Sequence, residues 1–213
     1  MASDLSFWNG VFERVQKEGV SDTQDDLWLT SYIPLLRGQK VERILEIGCG
    51  VGRDTLHLAE AGFEVTATDF SASALAMVRE KLPDVSLLLH DTREPFPFVD
   101  GSFDLVLASL SLHYFDRSTT KLIVEEIKRL LRPRGLLLYR VNSINDHSFG
   151  AGQGDLLEPD FFLKDGIRRR YFSLDACRET FQGWDEFYLE EKTVDRYENQ
   201  KVLCEGLVRK MEA

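Results

Sequence analysis

The chain has 213 residues, 43% hydrophobic and 29% charged, with a formal net charge of −10. That length suits one α/β domain with a modest elaboration and a sizeable core, and the acidic balance speaks against nucleic-acid substrates unless a local basic patch survives. Three cysteines (Cys49, Cys177, Cys204), odd in number and without C-x-x-C spacing, give no sign of a disulfide framework or a metal site. No apolar run approaches the roughly 20 residues that span a bilayer, and Met1-Ala2-Ser3-Asp4-Leu5 lacks a basic segment ahead of an apolar one. A cytoplasmic protein with no membrane partner is expected.

In chain order, two amphipathic, aromatic-bearing helices are predicted first, over Leu5 to Lys17 and Thr23 to Leu36, with Pro34 kinking or ending the second. Ile44 to Ile47 is a short apolar run suited to a strand buried on both faces. A helix from Arg53 to Ala61 is closed by Gly62, and Phe63 to Asp69 is a second strand. Ser71 caps a helix carrying Ala74, Leu75, Met77 and Val78, which stops before Pro83. Strands follow at Ser86 to His90 and Phe103 to Ser109, separated by the proline-rich loop Pro95-Phe96-Pro97-Phe98. Ile123, Ile127, Leu130 and Leu131 share one face of a helix from Ser118 to Leu131, and Leu136 to Val141 is a fifth strand. Strands separated by helices imply a parallel sheet. Asn142 to Gly166 reads as a Gly-, Asp- and Asn-rich insertion. A short helix near Ser173 to Thr180 precedes two strand-like runs, Glu186 to Lys192 and Lys201 to Arg209, an antiparallel pair for the sheet edge.

The informative segment is Glu46-Ile47-Gly48-Cys49-Gly50-Val51-Gly52-Arg53, a glycine turn between strand and helix, with Asp69 at the end of the next strand. A dinucleotide fingerprint counted from Gly48 needs its third glycine where Arg53 stands. Together with Asp91 after the third strand, this pattern resembles the class I S-adenosylmethionine-dependent methyltransferases over roughly Arg43 to Asn142. The resemblance implies a Rossmann-like α/β sheet, mostly parallel, of seven strands with a C-terminal antiparallel pair, flanked by helices. It further implies that S-adenosylmethionine binds at the strand ends and leaves as S-adenosylhomocysteine. On that reading the amides of Gly48, Cys49, Gly50 and Gly52 approach the methionine portion, Glu46 meets its cationic end, and Asp69 takes both ribose hydroxyls. Phe70 and Ser71 follow that acid, with Phe70 packing on adenine, and Asp91 with Thr92 accepts from the adenine amino group.

Ser109 and Leu110 then line the pocket, while His113 and Tyr114 face the space for an acceptor. The segment lacks the Pro-Pro-aromatic and Pro-Cys signatures of nucleic-acid methylases resembling this fold. His113 is either a general base or a histidine hydrogen-bonded to loop backbone. Arg140 and Asn142 end the fifth strand at the same face. A buried arginine needs a partner, either an anionic substrate or an acid such as Asp104 or Asp146. Phe162-Leu163-Lys164-Asp165-Gly166, Arg169-Arg170-Tyr171-Phe172 and Gly183-Trp184 are similar to the C-terminal segment of the tellurite-resistance (TehB-like) methyltransferases, although Ile167-Arg168 departs from that pattern. That similarity would bring Arg169 or Arg170 to the acceptor.

The expectation is a single domain over 1–213, with residues 1–40 as a helical lid and 142–172 as an acceptor-side insertion. It is read as a monomer or homodimer that methylates a small molecule by in-line displacement. Two rivals stand: an S-adenosylmethionine-binding partner protein without turnover, and an NAD-dependent oxidoreductase.

Overall fold

The computed structural model of the chain describes residues 2–18, 28–196 and 199–212. Five strands, β1 (Arg43–Ile47), β2 (Glu64–Asp69), β3 (Ser86–Leu89), β4 (Phe103–Ser109) and β5 (Leu131–Asn142), pair in parallel. Three short strands, β6 (Asp155–Glu158), β7 (Phe161–Lys164) and β8 (Ile167–Arg170), form a separate antiparallel sheet. The last two, β9 (Trp184–Arg196) and β10 (Asn199–Lys210), complete a seven-stranded main sheet in the order β3-β2-β1-β4-β5-β10-β9. Strand β10 runs antiparallel to both β5 and β9.

Strand alternation divides the core between the two faces of this sheet. Leu45, Val106, Leu137 and Tyr139 point to one face, where Ile123, Ile127 and Leu130 of α5 (Arg117–Leu130) and Cys177 of α6 (Leu174–Thr180) cover them. Ile44, Leu105, Leu136 and Leu138 point to the other, under Leu36 of α2 (Ile33–Gly38), Leu58 of α3 (Arg53–Glu60) and Val78 of α4 (Ala72–Lys81). Each such aliphatic side chain contributes roughly 1.5–3 kcal/mol by leaving water. Burial on both faces is why these strands read as continuous apolar runs.

The chain passes from β1 outward through β2 to β3, then returns to the other side of β1 for β4 and β5. That reversal opens a crevice at the carboxyl ends of β1 and its neighbours, the ligand-binding position of doubly wound sheets. A further helix, α1 (Ala2–Glu18), lies over this crevice.

Three expectations are corrected. Residues 23–27 of the second predicted helix lie outside the described residues. From Trp28 on there is a 3₁₀ turn (Trp28–Ser31), and then α2 starts with Pro34 in its first turn. Pro34 begins a helix because an N-terminal N–H has no intrahelical partner to lose. Residues 155–170 form the β6-β7-β8 sheet, its hairpin turns made by Asp160, Asp165 and Gly166 at positive φ. The fifth strand begins at Leu131, with a register shift against β4 that absorbs Pro133 and Gly135.

Candidate active site

The turn after β1 is built by close approaches. Gly48 has φ +74°, and a Cβ there would lie 2.7 Å from the Ser111 Cβ. Gly52, the N-cap of α3 at φ +77°, would bring a Cβ 2.7 Å from a Val78 methyl. Both positions therefore exclude a side chain. The amides of Gly48 and Cys49 donate to the Thr68 carbonyl (2.8 and 2.9 Å), and that of Gly52 donates to the Cys49 carbonyl (2.9 Å). The Gly50 amide donates to Asp69 Oδ2 (2.9 Å). All four named amides thus serve the turn, and a ligand meets bare backbone rather than vacant donors.

Two acids stand beside that turn. Asp69 is 5% exposed, and its carboxylate accepts from the amides of Gly50 and Ser71, each at 2.9 Å. Burial raises its pKa, and the amides of Ser71, Gly50 and Phe70 oppose the rise. Glu46, 3% exposed, accepts from the Thr55 hydroxyl at 2.6 Å. Burial first, and then the Asp54 charge, push the Glu46 carboxyl up to about 8, against the opposing Thr55 bond. Asp91 differs: the Arg93 guanidinium grips its carboxylate and holds its pKa below the usual range.

These groups border one cavity of about 710 Å³. Its floor is the segment from Gly48 to Val51, with Glu46, Asp69, Phe70, Asp91 and Thr92 on one side. Trp8, Val11, Phe12 and Val15, one stripe of α1, form a roof, and the Phe12 ring lies 3.7 Å from where a Gly50 Cβ would be. Past Ser109, Leu110 and Ser111 the cavity continues to His113 and Tyr114, then to Arg140 and Asn142 at the end of β5. Leu110 holds φ +53° and donates its amide to the Arg140 carbonyl at 2.8 Å. A leucine in that region stores of order 1 kcal/mol of strain.

Arg140 is 2% exposed and pairs through Nε with Glu205 Oε2 at 3.0 Å, with the Trp28 ring stacked 4.3 Å from its guanidinium carbon. Neither predicted acid is its partner. Asp104 accepts from the Glu42 and Arg43 amides and from Arg132, while Asp146 pairs with Lys201. Asn142 is also 2% exposed, and its side-chain oxygen has no hydrogen-bond partner among the described residues. His113, 2% exposed, packs its ring 4.2 Å from that of Tyr114.

Three residues singled out by sequence stay outside the cavity lining. Gly52 packs on Val78, and Ser71 caps α4 while its hydroxyl bonds Asn9. Arg170 pairs with Glu158 and lies over the Phe161 ring. Its neighbours Arg168 and Arg169 do border the cavity, as do Lys201 and Asp195 from β10 and β9, which sequence reasoning missed. These C-terminal strands carry no motif to announce which residue turns inward. The α1 stripe at i, i+3, i+4, i+7 was legible.

The methyltransferase domain family matches residues 44–135. Putative methyltransferase YqeM of Bacillus subtilis is 37% identical over 139 residues, 62% of this chain and 54% of that protein. The chain spans about half the length of the curated relatives it matches. These likenesses mark residues 44–135 as a methyltransferase domain, and the resemblance to the class I S-adenosylmethionine-dependent methyltransferases is supported by sequence and fold together. A methyltransferase from Methanosarcina mazei shares the fold with TM-score 0.74 at 18% identity, over 84% of this chain and 98% of that one. The 1,6-didemethyltoxoflavin-N1-methyltransferase of Burkholderia thailandensis, solved with its substrate and S-adenosylhomocysteine, does so with TM-score 0.69 at 19% identity, over 96% and 87%. TehB from Haemophilus influenzae is another protein of this fold (TM-score 0.64). Other relatives are named for acceptors as different as demethylmenaquinone, malonyl-[acyl-carrier protein] and a cytidine of tRNA.

The residues bordering this cavity suit S-adenosylmethionine, the cofactor of the fold's solved neighbours. Asp69, and Glu46 once ionised, are the charge complement of a ligand bearing sulfonium and ammonium groups, and Gly48 and Gly50 leave room for it to lie against the backbone.

Proposed function

We propose that this chain transfers the methyl group of S-adenosylmethionine to a small-molecule acceptor. The observation that carries the reading is the continuity of one cavity, about 710 Å³, from the acid-lined crevice at β1 and β2 to the His113, Arg140 and Asn142 end. That volume lies in the range of small-ligand sites, and a chain of net charge −10 is poorly suited to a polyanion. The relatives' acceptors alone do not choose among classes.

In this reading Asp69, already fixed by two amides, accepts from the ribose hydroxyls, and Glu46 faces the cationic methionine end. Phe70 and Thr92 border the adenine, with Asp91 sharing its carboxylate between Arg93 and the base. Ser109 and Leu110 separate the cofactor from the acceptor. The bound cofactor supplies an already activated methyl, so the chain's task is chiefly alignment and exclusion of water, worth up to roughly 7–11 kcal/mol. His113 removes a proton where the acceptor needs deprotonation. The α1 residues 8, 11, 12 and 15 roof the site, and residues 142–172 wall its acceptor side.

Calorimetric titration tests this. S-adenosylhomocysteine is expected to bind in the micromolar range and NADH not at all. Screening small thiols, amines, phenols and carboxylic acids for methyl uptake then identifies the acceptor. Binding of NADH in place of the homocysteine product would overturn the reading. So would tight product binding with a preference for RNA over every small acceptor.

A further inference from the structure

We propose that the acceptor is a small anion of the carboxylate class, its charged oxygens held by Arg169 and its polar edge read by Asn142. This rests on the methyltransferase reading above and narrows its substrate.

The two ends of the cavity differ in charge. Around the turn after β1 the bordering carboxylates Glu46, Asp54, Asp69 and Asp91 outnumber the cations Arg53 and Arg93. At the other end the cations Arg140, Arg168, Arg169 and Lys201 border the cavity, against the acids Asp195 and Asp116, the latter capping α5. Two of those cations have buried acids of their own, Glu205 for Arg140 and Asp146 for Lys201. Arg169 has no carboxylate within ion-pair distance among the described residues. Its neighbour is the Tyr171 hydroxyl, whose pKa is raised by burial and lowered by Arg169.

Strand β8 brings Arg169 to the cavity. Arg170 turns away, bonding the carbonyls of Phe115 (3.3 Å) and Pro159 (3.2 Å) and pairing with Glu158. Ile167, Arg168 and Arg169 all border the cavity, which Arg170 does not. A guanidinium presents a planar fork of donors matched to a carboxylate.

Asn142 is the second, independent sign of a ligand. Its side-chain oxygen has no hydrogen-bond partner among the described residues although the residue is 2% exposed and borders the same space. Buried amides are almost always satisfied, and this one offers both an acceptor and donors to a guest. Tyr114, Phe149 and Ile167 supply apolar surface between them, so the acceptor pairs an apolar body with its anionic group.

The test uses the full chain, titrated first with S-adenosylhomocysteine. At saturating product it is then titrated with matched acids and primary amides: 4-hydroxybenzoate and 4-hydroxybenzamide, anthranilate and 2-aminobenzamide, indole-3-acetate and indole-3-acetamide. At least one acid is expected to bind tenfold or more tightly than its amide. In Arg169→Gln that ratio should fall below threefold, and in Asn142→Leu both members should weaken at least fivefold, with product affinity within twofold of the parent in each variant. Equal binding of acids and amides, no binding by any acid in the product complex, or a ratio that persists in Arg169→Gln overturns the proposal. Failure of the product itself to bind overturns instead the cofactor reading beneath it.

Discussion

The two ends of the cavity are made in different ways. The cofactor end comes from one short stretch of chain, Glu46 to Asp69, with Asp91 added from the next strand end. Its shape is backbone: glycines at positive φ, amides turned into the turn, and an acid clamped by two N–H groups. The acceptor end is assembled from β5, β8, β9, β10 and the 3₁₀ turn at Leu112–Tyr114, and its shape is side chain. The first kind of end has little room for substitution, as the contacts a Cβ would make at Gly48 and Gly52 show. The second can change its ligand by changing two or three side chains, which fits relatives that are named for such different acceptors.

If the contrast holds, substitutions at the two ends fail differently. The largest effect is expected from Gly48→Val, which sets a branched side chain where even a Cβ lies 2.7 Å from Ser111. Product affinity should drop at least a hundredfold by calorimetry, and a loss of threefold or less would mean that the turn is not rigid. Asp69→Ala should weaken product binding at least tenfold while circular dichroism still reports the parent fold. Unchanged affinity there would remove the acid from the site.

Glu46 sharpens the comparison through pH. Its folded-state pKa is raised from 4.5 to about 8, so the ligand-free protein is most stable with this group protonated, and that contribution fades as pH rises from about 4.5 through 8. A cationic ligand prefers the ionised form. S-adenosylmethionine affinity should therefore climb several-fold between pH 6 and 9 with proton release, and Glu46→Gln should flatten the profile. A parent profile already flat over that window would contradict the placement of the methionine end.

The smallest effect is expected at Arg170. Arg170→Met removes the Glu158 pair and two carbonyl contacts, for about 1–3 kcal/mol of stability. Thermal melting should fall by a few degrees with product affinity unchanged. A drop in product affinity would tie the β6-β7-β8 sheet to the cofactor end.

Legibility in the sequence follows the same division. That the glycine turn and its neighbouring acids border one cavity was readable because glycine spacing and acids at strand ends are local features, and the main sheet because its apolar runs are bounded by turn residues. The β6-β7-β8 sheet was missed because aspartates, at 160 and 165, turn its hairpins. The partner of Arg140 was misassigned because Glu205 arrives on β10, an antiparallel neighbour whose register no local pattern fixes. Arg170 seemed as available as Arg169 because a run of three arginines does not say which one the strand buries.

The cofactor is expected at the β1 and β2 strand ends, against the glycine turn. A crystal structure of the chain with S-adenosylhomocysteine tests it most directly. The ribose hydroxyls should lie within hydrogen-bond distance of the Asp69 carboxylate, with the homocysteine sulfur facing the His113 and Asn142 end. Ligand density elsewhere on the molecule, or a crevice filled by the α1 side chains in the presence of saturating ligand, would contradict it.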